Sequence, residues 1–204
     1  MAQQGPNPIE LYEAAVQAFR QTLSGVKADQ MQGSTPCTEW NVQALIKHNI
    51  QVAAFVEGLL QENITVNPLE VSGAIPGDDP LKALDDNVAK LMDIIKASGS
   101  ADTQINTPFG EMTRGQFMMT PTWDLVVHKW DLAKGTGQNT ALDNTLVEAV
   151  YNTFAPWQME CGRWRWPVNT SLVQKSRYRS APAYRTGCLE RSGDSHNVAL
   201  VSLD

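Results

Sequence analysis

Apolar residues recur at helical spacing along most of the first 156 positions, and the segments they mark are separated by stretches rich in Pro, Gly and Ser. From Ile9 to Leu23 the stripe is Leu11, Ala14, Ala15, Ala18 and Phe19, which predicts a first helix ending near Gly25. Ser34-Thr35-Pro36-Cys37-Thr38 reads as a turn with Thr38 as a helix cap. A second helix is expected over Glu39 to Leu60, with Ala44, Leu45, His48, Val52, Phe55 and Leu59 along one face. Asn67 to Asp79 holds two prolines and two glycines and predicts a long loop. Helical periodicity resumes from Pro80 to Ala97 through Leu81, Leu84, Val88, Leu91 and Ile95.

Beyond Gly99 the chain turns polar, with a short extended piece expected near Thr103 to Phe109 and a further segment from about Thr113. Pro121 falls inside that segment. Either a helix kinks there, or one begins there with Thr120 as N-cap and the proline at the first helical position; regular helix is expected at least from Pro121 to Lys134. Gly135-Thr-Gly137 stops it, and Leu142 to Phe154 predicts a fifth, shorter helix. These elements predict an all-α fold, an antiparallel four-helix bundle with extra short segments.

Asp124-Leu-Val-Val-His128-Lys-Trp-Asp131 places a carboxylate, an imidazole and a second carboxylate on one helical face among largely apolar neighbours. Burying such groups demands a counter-charge, a hydrogen-bond network or a metal ion. Of three histidines in the chain, His48 lies on the apolar stripe of the second helix, His128 on the Asp124 face, and His196 near the C-terminus. Two imidazoles and one carboxylate from two helices would leave coordination positions open for water or substrate. Spacing alone favours a plain Asp–His contact, since a single core histidine is more often hydrogen-bonded than metal-bound, and leaves the metal open.

Composition excludes several classes. A chain of 204 residues with 42% hydrophobic content suits one core, and it carries no apolar run of transmembrane length, so a soluble cytoplasmic protein is expected. The net charge of -6 disfavours a nucleic-acid partner. Cys37, Cys161 and Cys188 form no CxxC pair and no disulfide framework.

Thr35-Pro36-Cys37-Thr38-Glu39-Trp40-Asn41-Val42 through Leu45 to His48, together with Asp124-Leu-Val-Val-His128-Lys-Trp130-Asp131-Leu-Ala-Lys-Gly-Thr-Gly137, resembles the metal-binding domain of mycothiol-dependent maleylpyruvate isomerases. Within that family it is similar to an uncharacterised actinobacterial group, part of the wider DinB-like superfamily of four-helix bundles. The resemblance covers about residues 8–156. It implies a divalent metal, zinc first, held by His48, Asp124 and His128, with Asp131 as a supporting residue from the Trp-Asp-Leu motif. The isomerases have glutamate where this chain has Asp124, which shortens that ligand by about one methylene. Trp40 and Trp130 are read as packing residues, and Cys37 as structural. Arg114 and Lys129 are candidates for an anionic group, with solvated surface positions the expectation for both.

The resemblance implies thiol activation, in a mycothiol-like S-transferase or isomerase with a low-molecular-weight thiol as co-substrate and an electrophile as substrate. Neither nucleic acid nor membrane is an expected partner, and a homodimer is left open. The isomerases carry a further C-terminal domain that this length does not match, so the second reading is a zinc-binding bundle with a structural or regulatory role. The body to Pro156 has 9 basic and 18 acidic residues and Trp157 to Asp204 has 7 and 4, a change from -9 to +3. Runs such as Arg163-Trp164-Arg165-Trp166 show no sustained period. The chain is therefore divided into a metal-binding domain, 1–156, and an atypical, poorly ordered tail, 157–204. A shift of reading frame at the Pro156 codon would account for the tail, since one translation of the shifted frame resembles the ends of family members; a genuinely divergent, flexible C-terminus is the alternative. No site residue is expected after Pro156.

Overall fold

A computed structural model describes residues 6–77, 79–97, 99–107, 109–154, 188–191 and 198–201. The elements run α1 (Pro8–Ser24), a 3-10 turn (Ala28–Gln30), α2 (Val42–Leu60), α3 (Pro80–Ala97), β1 (Gln104–Thr107), β2 (Gly110–Thr113), α4 (Arg114–Thr136), α5 (Asn144–Phe154), β3 (Cys188–Arg191) and β4 (Val198–Val201). The fold is mostly helical. β1 pairs antiparallel with β2, Gln104 opposite Thr113 and Thr107 opposite Gly110, and β3 pairs antiparallel with β4. Of the expected tail, only the backbone of these last two strands belongs to the described residues; the runs at 163–166 and 175–180 lie outside them.

Side-chain caps fix the helix starts. Asn7 accepts from Ile9 N at 3.0 Å with Pro8 at the first helical position, and Asp79 accepts from Leu81 N at 2.9 Å. The second helix begins at Val42 rather than Glu39, and Thr38 is not its cap. Trp40 N donates to Cys37 O at 2.8 Å, closing a turn that the extended backbone of Asn41 (ψ 174°) separates from α2, and the Thr35 hydroxyl meets the carbonyls of Cys37 and Trp40. Asn41 takes the capping role, accepting from Ala44 N at 2.8 Å.

The fourth helix is one continuous element that starts seven residues before Pro121. Thr113 and Gln116 form a reciprocal capping box at its start, and the Pro121 ring sits inside the helix at the loss of one backbone donor. Gly137, with φ +71°, ends it in the left-handed conformation. The hairpin partner β2 was not expected from sequence; its Gly110 has φ +108° and receives a hydrogen bond from the Thr107 hydroxyl.

α1 packs on α4 and α3, and α2 packs on α3 and α4. Phe19, Leu45, Ile46, Leu84, Leu91, Phe117, Met118 and Leu132 are withdrawn from solvent at the centre, each burial stabilising the fold by about 1.5–3 kcal/mol. Ala14, expected on the core stripe of α1, is exposed, because Tyr12 and Val16 complete that face instead. α4 is buried on nearly all sides, from Leu125 to Lys129 and from Asp131 to Ala133, because α1, α2 and α5 all pack against it. Polar groups on such a helix must find partners inside the protein. No helix among the described residues is long and apolar enough to cross a membrane.

Candidate metal centre

His48 enters from the middle of α2, and Asp124 and His128 from adjacent turns of α4. Their donor atoms all lie within 4.8 Å of one another. His48 Nε2 is 2.9 Å from Asp124 Oδ2, and His128 Nε2 is 3.5 Å from Asp124 Oδ1. Donors about 2.1 Å from a tetrahedral centre stand roughly 3.4 Å apart, so the three groups bracket the spacing of a shared cation. The histidine side chains are 6% and 2% exposed and Asp124 18%, so solvent reaches the cluster at the carboxylate.

The far side of each ring is also fixed. His48 Nδ1 lies 2.8 Å from the carbonyl oxygen of Pro68, an acceptor only, so Nδ1 carries the proton. His128 Nδ1 lies 3.0 Å from Asp131 Oδ2 and donates to it. Both rings therefore turn Nε2 toward Asp124, the tautomer that a metal-ligating histidine adopts when its other nitrogen is held by an oxygen. Asp131 is fully buried, and its second oxygen, Oδ1, has no hydrogen-bond partner among the described residues. The donor set and its outer contacts fit a divalent cation.

Electrostatics tie the groups together. Burial pushes the Asp124 carboxyl upward, but the charges of His48 and His128 and the hydrogen bond from His48 outweigh it and hold the group below its ordinary value. Burial pushes His128 downward, and the opposing effects of Asp124 and Asp131 prevail, so its pKa is raised. Without a metal the cluster is an ion-paired network.

Trp40, read from sequence as packing, lies against the cluster: its ring centroid is 4.5 Å from that of His48 and 5.6 Å from that of His128. Its place eight residues before His48 gave no sign of this, since the turn at 37–40 brings it back over α2. Trp130 is half-buried, with Lys134 Nζ 6.0 Å from its ring centroid. Cys37 is buried, and burial, reinforced by the charges of Asp131, Glu39 and Asp124, pushes its thiol up to about 12. It stays protonated and unreactive near neutrality.

Arg114 and Lys129 are not solvated surface groups. Both are buried: Arg114 Nη1 donates to the carbonyls of Gly99 and Ser100, and Lys129 Nζ to those of Asn139 and Ala141. From buried positions, each long side chain reaches the carbonyls of a neighbouring loop. Their charges are committed to holding loops.

Residues 12–133 match the family described as the mycothiol maleylpyruvate isomerase N-terminal domain. Two uncharacterized proteins from two strains of Mycobacterium tuberculosis are each 31% identical over 145 residues, 69% of this chain and 74% of theirs. The crystal structures of the mycothiol-dependent maleylpyruvate isomerase and of its histidine-to-alanine mutant superpose with a TM-score of 0.58 at 14% identity, over 69% of this chain. That likeness is one of fold, and the match spans 65% of the isomerase chain.

Proposed function

The chain belongs to the mycothiol maleylpyruvate isomerase N-terminal domain family, and from that premise we propose that residues 1–156 form a divalent-metal-binding domain of a cytoplasmic, thiol-dependent S-transferase or isomerase. α1 to α4 are read as an antiparallel four-helix bundle, since each helix packs on two others in the cyclic order α1, α4, α2, α3. The ligands are His48, Asp124 and His128, with zinc the first choice for two imidazole nitrogens and a carboxylate oxygen. Asp131 supports His128. The convergence of these three donors from two helices carries the reading.

A bound divalent cation would lower the pKa of a coordinated thiol and supply a thiolate near neutral pH. The chain's own residues do the rest. Pro68 and Asp131 hold the rings, Trp40 excludes water from one side, and the exposed edge of Asp124 leaves a route for a small thiol such as mycothiol and for its electrophilic partner. The buried Cys37 takes no part as nucleophile.

The test is metal analysis of the purified protein followed by a thiol-conjugation assay with a generic electrophile. Stoichiometric zinc and turnover that vanish together in His48→Ala support the enzyme. Tight zinc without turnover supports the non-catalytic zinc protein, a reading favoured by the near-complete burial of both histidines. Absence of any bound divalent metal refutes both.

A further inference from the structure

The loop between α2 and α3 runs back along α2. Asn63 N donates to Gly58 O at 2.7 Å, His48 Nδ1 meets Pro68 O at 2.8 Å, Lys47 Nζ donates to Ser72 O at 2.5 Å, and Gln43 Nε2 donates to Gly73 O at 3.0 Å. Later loop positions thus meet earlier helix positions. No described residue from 61 to 79 is fully buried, and Ile64, Val71 and Ile75 pack only partly against the core. Apolar burial is too small to fix such a segment alone, so its polar ties decide where it lies.

One of those ties is a candidate ligand. The carbonyl of Pro68 holds the proton on His48 Nδ1 and the ring in place, and that carbonyl is itself held only as well as the loop around it. Gln43 and Lys47 stand one helical turn apart on α2 and grip adjacent carbonyls, Ser72 and Gly73, just beyond Pro68. Neither side chain belongs to the donor cluster.

We infer that Gln43 and Lys47 are positioning residues for His48, acting through the docked loop: by holding Ser72 and Gly73 they keep the Pro68 carbonyl where it orients the imidazole toward a divalent cation. The functional meaning rests on the metal reading of the site. The mechanical link does not, because a loop that holds His48 is equally held by it.

Two measurements on the full chain test this. In EDTA, hydrogen exchange across residues 61–79 is compared between wild type and His48→Ala; the inference requires faster exchange in the variant, and unchanged protection overturns it. Zinc release to a chelator is then followed in Gln43→Ala/Lys47→Ala. Release is expected about tenfold faster than wild type, the low end of the effect of losing an outer hydrogen-bond partner of a ligand histidine, with the thermal midpoint nearly unchanged. Lys47→Arg, which retains a donor, is expected to release zinc at close to the wild-type rate. A double variant that releases zinc at the wild-type rate overturns the inference. A wild type that holds no zinc refutes the metal reading instead, and the exchange comparison still decides whether His48 and the loop are tied.

Discussion

The indole of Trp40 covers the imidazole of His48 at a centroid separation of 4.5 Å and a tilt of 39°, and the same ring reaches His128 at 5.6 Å. An indole face senses nearby positive charge, and a divalent cation held by the two imidazoles would change the charge that the indole meets. Zinc titration of the metal-free protein should therefore change tryptophan emission saturably. In Trp40→Phe the change should disappear while zinc still binds, leaving the other five tryptophans as a constant background. A full-size signal in that variant would show that the indole does not sense the cluster.

Gly135 faces the loop that carries Trp40. A β-carbon there would stand 2.9 Å from the carbonyl oxygen of Ser34 and 3.2 Å from a methyl of Thr35. Alanine gains about 1 kcal/mol of helix propensity over glycine, but overpacking against backbone costs about 1–3 kcal/mol, and Thr35 cannot yield without breaking its bonds to Cys37 and Trp40. Gly135→Ala is expected to lower stability in urea by up to about 2 kcal/mol and to alter Trp40 emission. An increase in stability would mean that the loop yields freely.

How legible this was in sequence depends on the kind of contact. Asp124, His128 and Asp131 could be placed on one face because helical periodicity is local, and His48 announced itself as an imidazole on an apolar stripe. Capping by Asn41 and the Thr113/Gln116 box was also local, yet Thr38 and Pro121 offered competing signals that only the turn at 37–40 and the hairpin before α4 resolve. The burial of Arg114 and Lys129 and the support of His48 by Pro68 left no mark, because their partners are backbone carbonyls, which every residue has.

The metal-free cluster should make stability depend on pH from both sides. Asp124, held below its ordinary 3.8, contributes stability that is complete above that value and lost as pH falls through the lower folded one. His128, raised above 6.5, contributes stability that is complete below that value and lost as pH rises through the higher folded one. In EDTA the thermal midpoint should therefore be highest between about pH 4 and 6.5, and Asp124→Asn should flatten both limbs. Excess zinc should reverse the alkaline limb, since a cation competes with the protons on the same nitrogens. A midpoint that climbs from pH 6.5 to 8 in EDTA would contradict the ion-paired network.

Asp131 separates affinity from stability. Its Oδ2 accepts from His128 Nδ1, while its buried Oδ1 meets no donor among the described residues. Replacing it by leucine strands a buried N–H, at about 1–3 kcal/mol, yet also removes a carboxylate oxygen whose desolvation is uncompensated, of similar size. The two effects oppose each other once His128 has lost its charge, so at alkaline pH unfolding of metal-free Asp131→Leu in urea should lie within about 1 kcal/mol of wild type, whereas with His128 charged the loss of its partner destabilises the fold further. Zinc affinity has no such offset: without its acceptor the ring is free to turn and is less basic, and the dissociation constant should rise about 10- to 100-fold. Asp131→Asn, which keeps an acceptor oxygen but not the charge, should fall between. Competition with a zinc-sensitive dye measures the affinity and urea unfolding in EDTA the stability. An unchanged dissociation constant in the leucine variant would reduce Asp131 to a packing residue.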